Sequence, residues 1–354
     1  MDFTLEATAA AVAEATQEVV GRLAPDWTDK FDGDGFDRNA WEAITGAGLT
    51  VLALPEALGG DDLPLDALTP LATSAGRAAV VTPLVGTLAA SVVLGRHPEA
   101  AQRVAAESGW FAVAIAERGR ALGAPSRTTL RADDGASVLT GVKTGVAFAE
   151  GAAALLVVTD AGVAVVDPRA EGVTLTKTPS SSGAAEYTVA FDAVTVAAAD
   201  VLDDADLLAA AYRALLSAYA DGLLAGAMAM TAEHVTVREQ FGKPIAAFQA
   251  VGQQLADIYV VSRTLNLIAI SAAWRLSNDL DAEADLATAD YWLASELPSA
   301  LRTMTHLHGG IGVDITYPLH RYFSLAKDMA RVVGGSDGAL DVLADVTVEE
   351  AACS

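Results

Sequence analysis

Arg238, Gln240, Phe241 and Lys243 fall within six residues at a break between two long apolar stretches, and Gln249 follows shortly after. An arginine presents a planar fork of N–H donors that matches phosphate oxygens, an amide both donates and accepts, and an aromatic ring packs against another flat ring. Together they could hold a dinucleotide by its pyrophosphate. Gly242-Lys243-Pro244 supplies the break, because proline disfavours a helical conformation at the residue before it and glycine relaxes the backbone. On residue chemistry alone, an ordinary helix–helix corner with a surface arginine is the simpler account. A second group, His306 with His308-Gly309-Gly310-Ile311-Gly312, could bring bare backbone close to a ligand or could only end a helix.

Other chemistries are poorly served. The five histidines show no metal-ligand spacing, and the single cysteine, Cys353, leaves no internal disulfide and no Cys-based metal site. Neither G-x-G-x-x-G after a strand nor G-x-x-x-x-G-K appears. A net charge of −24, from 22 basic and 46 acidic residues, excludes nucleic acid as a partner and opposes anionic membranes. Mean hydropathy is high at +0.35. Much of it is alanine in helical periodicity, which points to helix packed on helix and not to a bilayer span. Met1 to Glu6 shows no secretory signal, and a reducing cytoplasm is the expected location.

The elements that must position these residues come in three zones. Residues 1–108 read as helical, with clear pieces at 10–19 and 37–46. Residues 109–202 read as β, with strands expected at 111–116, 154–159, 163–166 and 187–191, and turns at Asp133-Asp134-Gly135 and Asp160-Ala161-Gly162. Residues 203–354 return to long helices, the first expected to be capped by the Asp203-Asp204 carboxylates. This order predicts an α+β chain in which a central antiparallel β domain lies between an N-terminal helical domain and a C-terminal helical bundle.

The stretch from Arg238 to Gln249 resembles the R-x-x-F-G-K-x-I-x-x-x-Q signature of the acyl-CoA dehydrogenase family. The segment from His306 to Gly312 resembles that family's Q-x-H-G-G-x-G, with His306 at the glutamine position. The likeness covers nearly the whole chain and is strongest in the final helical zone. It implies the family's α+β fold, an acyl-CoA substrate, FAD as cofactor and a homologous subunit as partner. It also implies that Arg238, Gln240, Phe241, Gln249, His306, Gly309 and Gly310 serve the FAD of the neighbouring subunit.

The family's own-flavin and base segments look eroded. Its T-E-P-x-A-G-S-D loop corresponds to residues 116–123, which read Ala-Glu-Arg-Gly-Arg-Ala-Leu-Gly. Its N-G-x-K-W-x-I-T-N corresponds to residues 140–148, where Gly141 and Lys143 remain and the tryptophan, hydroxyl and asparagine do not. Removing the α-proton of an acyl thioester needs a carboxylate. The two positions at which the family places its glutamate fall here at Val333 and Tyr212, so no catalytic residue is assigned to this chain. Arg213 matches an arginine of the family's acyl site, and equally suits a cation paired with helix-surface carboxylates. Glu117, Asp314, Asp328 and Asp337 are the carboxylates nearest the matched segments.

The resemblance therefore implies a base-deficient subunit of a heterotetrameric acyl-CoA dehydrogenase, similar to those of actinobacterial steroid side-chain degradation. A partner chain would bring the glutamate and the flavin would be shared between the two. Two alternatives stay open: a homomeric enzyme with a displaced base from the Asp328–Asp337 region, and a scaffold with no redox role.

Overall fold

The structure is a computed structural model that describes residues 6–23, 35–105, 109–133 and 135–352. The readings made on Met1 to Leu5, Glu107, Asp134 and Cys353 lie outside the described residues.

Helices come first: α1 (Ala7–Val20), α2 (Arg38–Gly46), α3 (Leu65–Arg77), α4 (Leu84–Arg96) and α5 (Pro98–Ala105). Pro83 stands just before α4, where its missing N–H costs no helical hydrogen bond. Eight strands follow: β1 (Phe111–Ala114), β2 (Thr129–Asp133), β3 (Ala136–Ala147), β4 (Ala154–Thr159), β5 (Gly162–Val166), β6 (Val173–Thr178), β7 (Glu186–Ala197) and β8 (Val201–Leu202). They form two four-stranded sheets, ordered β1-β4-β5-β8 and β2-β3-β7-β6. Pairing is antiparallel throughout except between β1 and β4, which run parallel, so the central domain is antiparallel with one parallel edge. Expected strands at 111–116, 154–159 and 163–166 match β1, β4 and β5, whose residues are all buried. The strand expected at 187–191 is the middle of the longer β7.

The second half is helical: α6 (Ala205–Val237), a short hairpin of β9 (Glu239–Gln240) and β10 (Lys243–Pro244), then α7 (Gln249–Ser277), α8 (Glu283–Ala294), α9 (Glu296–His308), α10 (Leu319–Val332) and α11 (Gly335–Ala352). One continuous apolar core runs through helices and sheets, with α6 passing through it.

The expected carboxylate cap of α6 needs correction. Asp204 does hold the N-cap position, yet it makes no side-chain cap hydrogen bond. Its carboxylate instead bonds His97 Nε2 at 2.5 Å and Arg96 at 3.3 Å. The nearby imidazole and guanidinium take up the carboxylate in place of the free N–H groups, and the acid ties the α4–α5 corner to the start of α6.

α6 and α7 are both long and apolar enough to cross a membrane, but they differ in surroundings. The most apolar window of α6 is 78% buried by the protein and that of α7 only 28%. A core helix accounts for α6. On α7, Tyr259, Val260 and Leu267 face outward.

Candidate functional site

Both glycine-containing motifs sit at helix ends in the C-terminal half. Arg238 is the C-cap of α6, its amide donating to His234 O at 2.9 Å. The chain then folds into the β9–β10 hairpin, with Gln240 opposite Lys243 and Phe241-Gly242 at the tip. Both tip residues have positive φ, 54° and 79°, as a tight two-residue hairpin turn requires. Glycine adopts this freely, whereas a bulky aromatic does so at a cost of roughly 1–3 kcal/mol. Phe241 is also 92% exposed, and its ring meets that of Phe248 edge-on at 6.2 Å between centroids. Lys243 Nζ lies 4.3 Å over the Phe248 ring, which fixes the base of the turn. A strained, exposed phenylalanine contributes nothing to folding that glycine would not. The Arg238 guanidinium has no hydrogen-bond or ion-pair partner among the described residues. Among the described residues the Gln240 side chain bonds only its neighbour's carbonyl, at 2.8 Å, and Gln249 is the exposed first residue of α7.

The second motif ends α9. His306 is exposed on its last turn. Gly309 takes φ 65°, ψ −142°, a region open only to glycine, while a Cβ built on Gly310 would meet nothing within 4 Å. Nothing in the chain itself therefore demands the second glycine. Ile311, Val313 and Ile315, just beyond, are exposed apolar side chains, as is Val237 beside the hairpin.

One contact that the sequence reading missed joins the motifs. His234, one turn before Arg238, stacks on His308, with centroids 4.3 Å apart and rings 22° from parallel. Burial and then the Arg238 charge push His234 below its ordinary pKa. Burial does the same to His308, although Nδ1 contacts Met304 O at 2.9 Å. Two neutral imidazoles can stack; two charged ones would repel. The helical spacing of His234 and Arg238 was the available signal.

The β-domain segments are organised differently. Glu117 is enclosed: it accepts hydrogen bonds from Lys143 Nζ (2.8 Å), Ser126 Oγ (2.9 Å), the Arg127 and Thr128 amides, and Thr128 Oγ1 (2.9 Å). Lys143 is fully buried and also donates to Ile115 O at 3.0 Å. Burial raises the Glu117 carboxyl, but the Lys143 ammonium and the two amides outweigh it and hold the carboxyl at about 2. Glu117 and Lys143 are thus a buried ion pair, and Ser126, which the sequence reading passed over, completes it.

The positions where a base was sought are closed to that role. Val333 is buried and ends α10. Tyr212 lines an apolar cavity of about 130 Å³ with Tyr219, Leu216, Met329 and Val332. Burial, and then the charge of Glu186, push its phenol up to about 12, with Arg331 pulling the other way. Asp328, on the same cavity wall, accepts the amides of Ser181 (2.7 Å) and Ser182 (2.9 Å) and so clamps that loop to α10. Asp314 closes a local turn with Thr316. Arg213 pairs with carboxylates, Asp290 at 2.7 Å and Glu283 at 2.8 Å, as the second of its two readings expects, but it does so buried and not on a helix surface. Asp290, deep beside it, is raised to about 6 by burial.

Helices around a small β domain, with this motif pair at the end of a helical bundle, are the marks of the acyl-CoA dehydrogenase family, and the chain belongs to it. The family's C-terminal domain (Acyl-CoA dehydrogenase, C-terminal domain) matches residues 208–346. The chain is 43% identical over 316 residues to acyl-CoA dehydrogenase FadE28 of Mycobacterium tuberculosis, covering 86% of this chain and 91% of that one. Among solved structures it is similar to a variant of the Tcur3481-Tcur3483 steroid ACAD (TM-score 0.87, 32% identity, covering 97% of this chain and 98% of that one). It is also similar to the ChsE4-ChsE5 complex of Mycobacterium tuberculosis (TM-score 0.86, 30% identity, covering 99% of each). Its structural neighbours thus include a steroid ACAD and a complex of two different proteins.

The family implies a flavin, and the two regions fit one unequally. The hairpin tip and the Gly309-Gly310 turn leave backbone, a ring and a guanidinium open to a group approaching from outside the chain. In the β domain, the Thr144 amide is already spent on Ala116 O at 2.9 Å and Glu117 is enclosed.

Proposed function

We propose that this chain is the base-deficient subunit of a heteromeric FAD-dependent acyl-CoA dehydrogenase, lending FAD contacts to a partner subunit that carries the catalytic glutamate. The observation that carries this reading is the contrast between base positions and hairpin tip. Buried Val333 and a Tyr212 phenol at about 12 cannot take an α-proton at neutral pH. A strained, 92% exposed Phe241 beside an unpaired arginine suits another chain's cofactor.

Bound FAD would supply the hydride acceptor for Cα–Cβ dehydrogenation. This chain's part is binding and orientation. Arg238 offers charge-assisted N–H donors to a pyrophosphate, Gln240, Gln249 and His306 offer further polar contacts, Phe241 offers a ring face, and Gly309-Gly310 admits close backbone approach. The partner would be a homologous subunit, in a heterotetramer with two copies of each chain. The outward apolar side chains of α7 support such an assembly. Similarity to a structure described as a steroid ACAD supports a steroid-type acyl-CoA, and the lone cysteine supports a cytoplasmic setting.

The test is to express the chain alone and with candidate partners and to measure flavin per chain by absorbance. One flavin for each pair of unlike chains is expected. One flavin on every chain, or a yellow chain that oxidises acyl-CoA by itself, would overturn the reading.

A further inference from the structure

Building on the flavin contacts proposed above, we propose that His234 and His308 are a pH-sensitive positioning pair. Stacked and neutral, they hold the Arg238 hairpin and the Gly309-Gly310 turn in register; protonated, the rings part and this end lets go of flavin.

Each ring is built into one of the two motifs. His234 lies one turn before Arg238 on α6, and its carbonyl accepts the Arg238 amide at 2.9 Å, so a shift of His234 carries the arginine with it. His308 is the last residue of α9 and is buried. The His234 ring stacks on it at 4.3 Å between centroids, and the tilted Tyr317 ring stands 5.4 Å away. The turn that follows is packed against the same residue. A Cβ on Gly312 would come within 3.0 Å of His308 Cβ and 2.6 Å of Thr305 O. Displacing this imidazole therefore disturbs the backbone from Gly309 to Gly312.

Hydrogen bonding makes the stack intolerant of protons. A carbonyl can only accept, so His308 Nδ1, 2.9 Å from Met304 O, carries the ring's hydrogen and Nε2 is left as a bare acceptor. Nε2 is buried without a partner among the described residues. A second proton would arrive there as a buried donor with nothing to accept it. On His234, which is half-buried, a proton would stand beside the permanent charge of Arg238. The surrounding groups do not compensate. Glu233, next to His234 on α6, acts on Tyr317, and His306 is exposed on α9. Asp314 is bonded to Thr316, His320 Nδ1 contacts Tyr317 O, and Arg321 of α10 pairs with Asp37. No carboxylate lies within ion-pair distance of either ring among the described residues. Burial lowers both imidazoles from their ordinary 6.5, so the stack is fully favoured above pH 6.5 and is lost as pH falls through the lowered values.

The experiment follows flavin dissociation from the assembly in which the chain purifies, at about pH 7.5 and about pH 5.5. Wild type should lose flavin about tenfold faster in the acid condition, the factor that one unit of pKa difference supplies. His234→Phe keeps a flat ring that cannot titrate, and should restore wild-type retention at the higher pH with less than about a twofold change in acid. His234→Ala should release flavin faster at both pH values. It should also speed hydrogen exchange of the amides at 309–317, where nothing has been substituted. A wild-type rate that is flat or slower in acid would overturn the proposal. So would a His234→Phe slope equal to that of wild type, because the loss would then come from another group, such as Asp290, raised to about 6 in its buried cluster. Unchanged exchange over 309–317 in His234→Ala would count against it equally. Arg238→Ala separates the two readings. If it leaves flavin retention unchanged, both fall, whereas a weakened grip with no pH dependence sinks the imidazole pair alone.

Discussion

Glu117 and Arg238 are both charged residues in motif-bearing turns, yet their surroundings are opposite. Around Glu117 every donor is used: Lys143, Ser126, Thr128 and two amides converge on one carboxylate within the same chain. Around Arg238 and the end of α9 the chain leaves a guanidinium, a ring and the second glycine, Gly310, unused by its own folding. A charge satisfied at home explains itself by stability. One kept ready beside a strained turn, whose Phe241 carries the conformational cost, suits the client proposed for it outside the chain.

The sharpest way to break this comparison is to attack the enclosed side. Lys143→Met strands a buried carboxylate and should destabilise the chain by about 3–5 kcal/mol, read by urea unfolding. Acid tests the same pair. Because the folded Glu117 pKa, about 2, lies below its ordinary 4.5, its contribution is fully present above pH 4.5 and is lost as pH falls toward 2. Glu117→Gln should flatten that part of the stability–pH curve. Next in size, Arg238→Ala should cost the assembly about 1.5–3 kcal/mol of flavin affinity, measured by flavin dissociation, with the unfolding midpoint of the chain unchanged. Phe241→Gly should move the two readouts in opposite directions. Relief of the left-handed strain stabilises the chain by about 1 kcal/mol while flavin retention falls. Smallest for the fold is Gly310→Ala, whose Cβ has open space: stability should shift by less than about 0.5 kcal/mol, with weaker flavin binding as the only sizeable effect. If Phe241→Gly and Gly310→Ala left flavin retention intact, the two regions would not differ in kind.

Legibility in the sequence followed the same divide. The buried strands β1, β4 and β5 announce themselves as apolar runs between turn residues. β3 does not: Gly141, Lys143 and Gly145 interrupt its apolar pattern and its register shifts around that stretch, so it is not among the strands expected within the β zone. The hairpin motif was visible because its residues act in order along the chain. The His234–His308 stack joins residues far apart in sequence, and the fate of Arg213 depended on where Asp290 and Glu283 arrive from α8. Neither Tyr212 nor Val333 hides a base, and that much one residue letter could say.

The outward face of α7 has a consequence for the cell. A subunit that displays Tyr259, Val260 and Leu267 to water when unaccompanied is a natural client for chaperones and proteases. Mass action would protect only the molecules that find a mate. If that mate is the unlike subunit proposed above, abundance of this chain would track supply of the other gene product, and surplus copies would be cleared.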